Sequence, residues 1–429
     1  GVATDRADSR RVTETALREI LPMLRAHELA VILTKAQISH AIVDPQRAED
    51  LAQARASAPA LKHIITTADL ERRMADASPD FDVVPTAADD PALIAFTSGT
   101  TGAPKGCVHF HRDIAAMAET FSRHILQPRP DDVFVGTPPF AFTFGLGAGM
   151  VFPANVGAAT AICPKPGFDV LADTIAQHKA TTLFTSPTGY RALMKQDLSK
   201  LASLHTCVSA GEHLPQATSD QWRDRTGIRI IDGIGSTEMI HIFVSARGAD
   251  IRPGATGKAV PGYEATLFDE HDQPFDGAGE GRLAIRGPTG CRYLADERQK
   301  NYVVNGWNLT GDLYRRDEDG YFWYISRADD MIISSGYNIG APEVENALLT
   351  HEAVKERALK YCDWAVSMGL LAIRTHVDTC DDRLLAVEAL LEVKKEVAPY
   401  IDLQLVAFPQ DGFYRSPTAR ENTIRALDL

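Results

Sequence analysis

From Leu29 to Ile231 the chain alternates short apolar runs with longer amphipathic segments. Leu29–Leu33, Ile38–Val43, Leu61–Thr66, Ala92–Phe96, Asp132–Val135, Ala159–Cys163, Thr182–Thr185, Thr206–Ser209 and Ile228–Ile231 are predicted strands. Pro45–Ala54, Arg112–His124, Val170–His178 and Thr188–Lys195 carry apolar residues at helical spacing and are predicted helices. Strand following helix in this order predicts an α/β fold with mostly parallel sheets. From about Pro253 to Trp323 the pattern changes to short strands between turn signals such as Pro261-Gly262, Asp276-Gly277 and Asp319-Gly320, which predicts a smaller β-rich subdomain.

The charge-free stretch Val133–Pro164 is interrupted by Gly136, Pro138, Pro139, Gly145, Gly147, Gly149, Pro153 and Gly157, so it reads as buried strand and loop rather than a membrane span. With 44 Lys and Arg against 57 Asp and Glu the net charge is −13, and no basic block accumulates. Nucleic acid and membrane are therefore not expected partners, whereas a small anion received by local groups is compatible with the charge. The six cysteines are scattered without a C-x-x-C pair, which predicts reduced thiols and a cytoplasmic setting. The oligomeric state is left open, a homodimer being the assembly considered.

The sharpest chemical feature is Thr97-Ser98-Gly99-Thr100-Thr101-Gly102-Ala103-Pro104-Lys105-Gly106, directly after a predicted strand. Its glycines let backbone amides turn toward an anion, its hydroxyls donate, and Lys105 adds positive charge, a set suited to a polyphosphate. The spacing is not that of the Walker A loop, and a flexible connector is the lesser alternative for the segment taken by itself. Further strand ends carry Ser209-Ala210-Gly211-Glu212 and Asp232-Gly233-Ile234-Gly235-Ser236-Thr237-Glu238, where α/β sheets bind ligands. Glu238 is the candidate Mg2+ ligand. Thr310-Gly311-Asp312, Ser326-Arg327-Ala328-Asp329-Asp330 and Ser335-Gly336-Tyr337-Asn338 complete the series.

In order and spacing this set resembles the adenylate-forming (AMP-binding) superfamily over about residues 22–354. Within it the wording is closest to the 2-aminobenzoate-CoA and benzoate-CoA ligases, through His109-Phe110-His111-Arg112-Asp113, Pro139–Gly147, Glu238–Phe243 and Tyr302–Asp312. The resemblance implies an ATP-dependent aryl-CoA ligase, with ATP, Mg2+ and CoA as cofactors and a small aromatic carboxylate as substrate. Thr97, Ser98, Gly99, Thr100, Thr101, Gly102 and Lys105 would hold the β- and γ-phosphates, and Thr237 the α-phosphate. Thr237, Glu238 and Lys105 would be the catalytic groups. Gly211, Glu212, Asp232 and Gly233 would frame the adenine, and Asp312 would accept from the ribose hydroxyls with Arg327 assisting. Ala141, Phe142, His241 and Ile242 would line the aryl pocket, although Phe140, Phe142 and Phe144 alone read as one face of a strand. Asp329 would be the hinge and Gly336 would approach CoA.

The likeness stops near Val354. Residues 1–21 match nothing, and residues 22–325 read as the ligase N-terminal domain, truncated at its start. Residues 326–354 read as hinge and start of the C-terminal lid. The late lysine that the family uses in adenylation is missing, since Lys355, Lys360, Lys394 and Lys395 lie outside its motif. Residues 355–429 resemble an interior fragment of cytosine deaminase-type amidohydrolases, one βαβ unit of a (β/α)8 barrel. Its segments are Ala372–Asp378, Ala386–Lys394 and Asp402–Gln410, with Gln410 at an amide-contact position and His376 alone unable to hold a metal. The expectation is a chimera that binds nucleotide and adenylates weakly. The alternatives are a non-catalytic nucleotide-binding remnant and a metal-dependent amidohydrolase.

Overall fold

A computed structural model describes residues 24–78, 80, 82–97, 104–290, 292–328, 331–334, 337–340, 351–379, 384–408 and 419–428. The chain divides into two compact units, Gly1–Ile339 and Gly340–Leu429.

The centre of the first unit is a seven-stranded sheet. Its strands are β5 (Val133–Gly136), β6 (Ala159–Thr160), β7 (Thr182–Thr185), β8 (Thr206–Ser209), β9 (Ile230–Gly235), β10 (Ile242–Ser245) and β11 (Lys258–Ala259), in the order β11-β10-β9-β8-β7-β5-β6. The strands from β6 through β9 run parallel, and β10 and β11 return antiparallel. Successive residues face opposite sides. The row Leu183, Cys207, Ile230 packs on Leu171, Ile175, Tyr190, Leu193 and Trp222 of the crossover helices, while the next row, Phe184, Val208, Ile231, meets Phe121, Phe152 and Phe243. Burial on both faces is why these strands read as unbroken apolar runs.

Two antiparallel sheets flank this core. One joins β12 (Glu264–Phe268), β13 (Pro274–Phe275), β14 (Gly279–Arg286), β16 (Val303–Val304), β17 (Trp307–Arg316) and β18 (Phe322–Arg327), the β-rich part expected from the turn signals. The other orders β15 (Arg292–Tyr293), β4 (Lys105–Phe110) and β3 (Pro91–Thr97). Thr97 and Lys105, the described residues on either side of the motif's centre, are therefore register partners across the antiparallel β3–β4 pair. A separate parallel pair is formed by β1 (His40–Val43) and β2 (His63–Thr66).

Two expectations change. Leu29–Leu33 belongs to a helix, Ala26–Lys35, because Leu29, Ile32 and Leu33 form one buried helical face and Glu28 accepts from the Arg25 amide at 3.1 Å in the first turn. Phe140, Phe142 and Phe144 form no strand face: after Pro138-Pro139 the chain turns into a short helix, Thr143–Leu146.

In the second unit β21 (Ala372–Asp378) and β22 (Asp402–Phe408) pair in parallel, with the helix Leu385–Val397 between them in sequence. Val393 and Val397 of that helix pack with Cys362 and Ala365 of the helix His351–Ser367, which runs unbroken through residues 354 and 355. Gln410 lies outside the described residues. No described helix is long and apolar enough to cross a membrane.

Candidate nucleotide and carboxylate site

A cavity of about 510 Å3 opens at the ends of β8 and β9, against Asp312 and Tyr314 of β17 and Tyr324 and Arg327 of β18, in the first unit. Gly211, Glu212, Asp232, Gly233, Asp312 and Arg327, the residues expected around adenine and ribose, all line it. So do Thr97 and Thr237 of the phosphate set, and Phe142, His241 and Ile242 of the aryl set. Ala141, Lys105 and Glu238 are not among its lining residues. Ser98, Gly99, Thr100, Thr101, Gly102, Asp329 and Gly336 lie outside the described residues.

Asp312 and Arg327 come together through strand register. They are paired residues of β17 and β18, and Arg327 Nη1 donates to Asp312 Oδ1 at 3.0 Å with both side chains largely buried. Glu212 Oε2 accepts from the Thr188 hydroxyl at 2.9 Å and its amide at 3.3 Å, which ties the Gly211-Glu212 turn to the preceding crossover helix, Pro187–Leu193. Asp232 ends the parallel part of β9, and its Oδ1 is buried without a hydrogen-bond partner. Burial pushes its carboxyl up to about 8.

His241 is enclosed by aromatic rings, Phe152 at 4.7 Å, Phe121 at 5.1 Å and Phe144 at 5.8 Å between centroids. Neither of its ring nitrogens makes a close hydrogen bond, and burial lowers its pKa to about 3 against a smaller upward pull from the Phe144 backbone, so the imidazole is neutral at physiological pH. The ring fits because residue 147 is glycine: a Cβ there would stand 2.6 Å from His241 Cδ2 and 2.7 Å from Nε2. A neutral, unsatisfied imidazole in an aromatic wall can pair with one polar substituent of a flat ligand.

Lys105 and Glu238 meet beside Tyr293, a residue the motif reading missed. Tyr293 donates its hydroxyl proton to Glu238 Oε1 at 2.6 Å and accepts from Lys105 Nζ at 3.2 Å. Nothing in the local wording around Tyr293 signals this, because it comes from β15 pairing with β4. Also unforeseen is His109, fully buried, whose Nε2 donates to the Thr237 carbonyl at 2.6 Å and fixes that backbone. Lys35 donates to the carbonyl of Pro104, at the far end of the phosphate motif, at 3.2 Å and pairs with Asp296 at 2.7 Å. The Arg298 guanidinium and then Lys35 hold the Asp296 carboxyl far below the usual carboxylate range. Among the described residues no group of three or more His, Cys, Asp or Glu is arranged to hold a metal ion. A single carboxylate, Glu238, suits Mg2+ carried largely by nucleotide phosphates and water.

Residues 16–293 match the family model described as AMP-binding enzyme. The chain belongs to this family. It is 35% identical over 349 residues to a benzoate–CoA ligase of Thauera aromatica, covering 79% of this chain and 66% of the relative. It is 37% identical over 281 residues to a 4-hydroxybenzoate–CoA/benzoate–CoA ligase of Rhodopseudomonas palustris, covering 64% and 52%. The chain thus spans two thirds or less of the length of these two relatives. Among solved structures, the anthranilate CoA ligase AuaEII in complex with anthranoyl-AMP superposes with a TM-score of 0.70 at 33% identity, over 78% of this chain and 67% of that one.

Proposed function

We propose that this chain is built for ATP-dependent aryl-CoA ligation, in which an aromatic carboxylate and ATP give an acyl adenylate and pyrophosphate, and the CoA thiol then displaces AMP. The observation that carries the reading is one cavity lined both by the Asp312–Arg327 pair and by the neutral, unsatisfied His241 among phenylalanines. Asp312 accepts from the ribose diol while Arg327 holds its carboxylate in place. Gly211, Glu212, Asp232 and Gly233 frame the adenine, and Thr237, kept in position by His109, meets the α-phosphate. Lys105 and the Thr97–Gly106 motif receive the outer phosphates, with Asp329 and Gly336 assigned to the hinge and the CoA approach. Glu238 would hold Mg2+, which when bound neutralises charge on the phosphate oxygens.

Phe142 and Ile242 accept the ring, Ala141 supports Phe142 from outside the cavity lining, and His241 pairs with a polar group on the ring. A 2-aminobenzoate-type substrate is favoured over plain benzoate because His241 otherwise keeps two buried nitrogens unsatisfied. The enzyme would act in the cytoplasm. Residues 355–429 are read as a piece of another, amidohydrolase-type fold, a reading that rests on their sequence alone.

Titration with ATP and AMP, alongside pyrophosphate exchange driven by 2-aminobenzoate or benzoate, tests this. Nucleotide binding, and exchange that depends on the aromatic acid, are expected. Failure to bind either nucleotide would overturn the ligase reading.

A further inference from the structure

Three side chains from distant parts of the sequence converge on one hydroxyl. Lys105 opens β4, Glu238 follows β9, and Tyr293 lies on β15 with only 4% of its surface exposed. The backbone of Tyr293 is locked in turn: it pairs in register with Cys107, and its amide donates to Gln299 Oε1 at 2.6 Å. Lys105 Nζ also stands 5.1 Å from the centre of the Tyr293 ring, over its π face.

The distances show what the phenol does. Lys105 Nζ and Glu238 Oε1 are 3.6 Å apart, longer than the roughly 2.7–2.9 Å of a direct charge-assisted hydrogen bond. The hydroxyl sits beside both, accepting from the ammonium at 3.2 Å and donating to the carboxylate at 2.6 Å. It competes with their direct ion pair: each charge spends a hydrogen bond on the phenol, and the two stay 3.6 Å apart and do not close to direct contact.

From this we propose that Tyr293 is a positioning residue that holds Lys105 and Glu238 apart and correctly turned for the phosphates of a metal-bound nucleotide. The proposal rests on the ligase reading above. Without the hydroxyl, Lys105 closes onto Glu238, and the site loses a cation for phosphate and a carboxylate for Mg2+ together. The consequence is confined to ligands that carry β- and γ-phosphates with Mg2+. AMP, held by the Asp312–Arg327 and Gly211-Glu212 side of the cavity, is indifferent to it.

The test is calorimetric titration of wild type and Tyr293→Phe with ATP in Mg2+, with ATP in EDTA, and with AMP. The expected result is an affinity for ATP in Mg2+ lowered about tenfold or more, the size usual for losing a group that orients a metal ligand, with AMP and metal-free ATP affinities unchanged. In a Glu238→Gln background the same substitution is expected to add little, because its effect runs through that carboxylate. Unchanged ATP affinity in Mg2+, an equal loss for AMP, or full additivity with Glu238→Gln would each overturn the proposal. Should Tyr293→Phe fail to fold, Lys105→Met carries the same comparison: an unchanged preference for ATP in Mg2+ over AMP overturns it. Absence of all nucleotide binding by the wild type would instead sink the ligase reading itself.

Discussion

Arg327 Nη1 lies 3.0 Å from Asp312 Oδ1, a pairing produced by the register of β17 with β18 and separated by 15 positions in the chain. The pair is mostly shielded from water, so removing the arginine leaves a carboxylate with less solvation than it needs. Arg327→Ala should lower the melting temperature, whereas Asp312→Asn, which keeps a polar acceptor, should lower it less. Both should weaken AMP binding, Asp312→Ala by about 10-fold or more given roughly 1.5–3 kcal/mol for a hydrogen bond to a charged group. Thermal unfolding and AMP titration check both parts.

His241 is predicted to cost the free protein stability in acid. Its folded pKa, near 3, is below its unfolded value, so the unfolded chain binds the proton first, and stability is lost as pH falls from about 6.5 toward 3. His241→Leu should flatten that acid limb and stabilise the fold by about 1 kcal/mol, since two buried nitrogens without partners disappear. Affinity for the aromatic acid should drop while AMP affinity stays the same. Urea unfolding at several pH values, with both ligand titrations, reads this out.

Asp232 carries the opposite sign. Its folded pKa is raised to about 8, so the native state holds a proton that the unfolded chain releases near pH 4, and stability declines between those values as pH rises. Asp232→Asn should flatten this neutral limb and leave the acid limb of His241 in place. The same unfolding series, run on both single variants, separates the two groups.

Gly147→Ala should disturb the aromatic wall more than its size suggests. The added methyl would stand under 3 Å from His241 and 2.9 Å from Phe152, both buried rings with little room to shift. A loss of about 1–3 kcal/mol is expected, as for other overpacked cores. Aromatic acid affinity should fall with it, and His241→Ala should restore the stability lost.

In the second unit Tyr361, Trp364, Met368 and Leu371 leave large apolar surface in water, Trp364 at 58% and Leu371 at 75% exposed. Trp364→Lys with Leu371→Lys should raise the concentration at which the protein first scatters light without changing nucleotide affinity.

The strands β7 and β8 were readable to the residue because they are buried on both sides, so burial and sequence pattern coincide. The helix Ala26–Lys35 was misread because Leu29–Leu33 is short and almost wholly apolar, and periodicity does not separate strand from helix in such a run. Gly211, Asp232, Thr237 and His241 were legible because each sits within a local motif at a strand end, and a strand end is a position along the chain. Tyr293 and His109 were not, because their partners lie 55 and 128 residues away.

The sequence by itself determined which residues alternate between strand and helix, where glycines turn the chain, and which family motifs follow one another. Those properties are set by neighbours within a few positions. Only the tertiary structure decided that Lys105 and Glu238 share the Tyr293 hydroxyl, that Arg327 answers Asp312, and that His241 is neutral. Hydrogen-bond partners and proton affinities depend on what surrounds a side chain in space, and burial against distant segments supplies those surroundings.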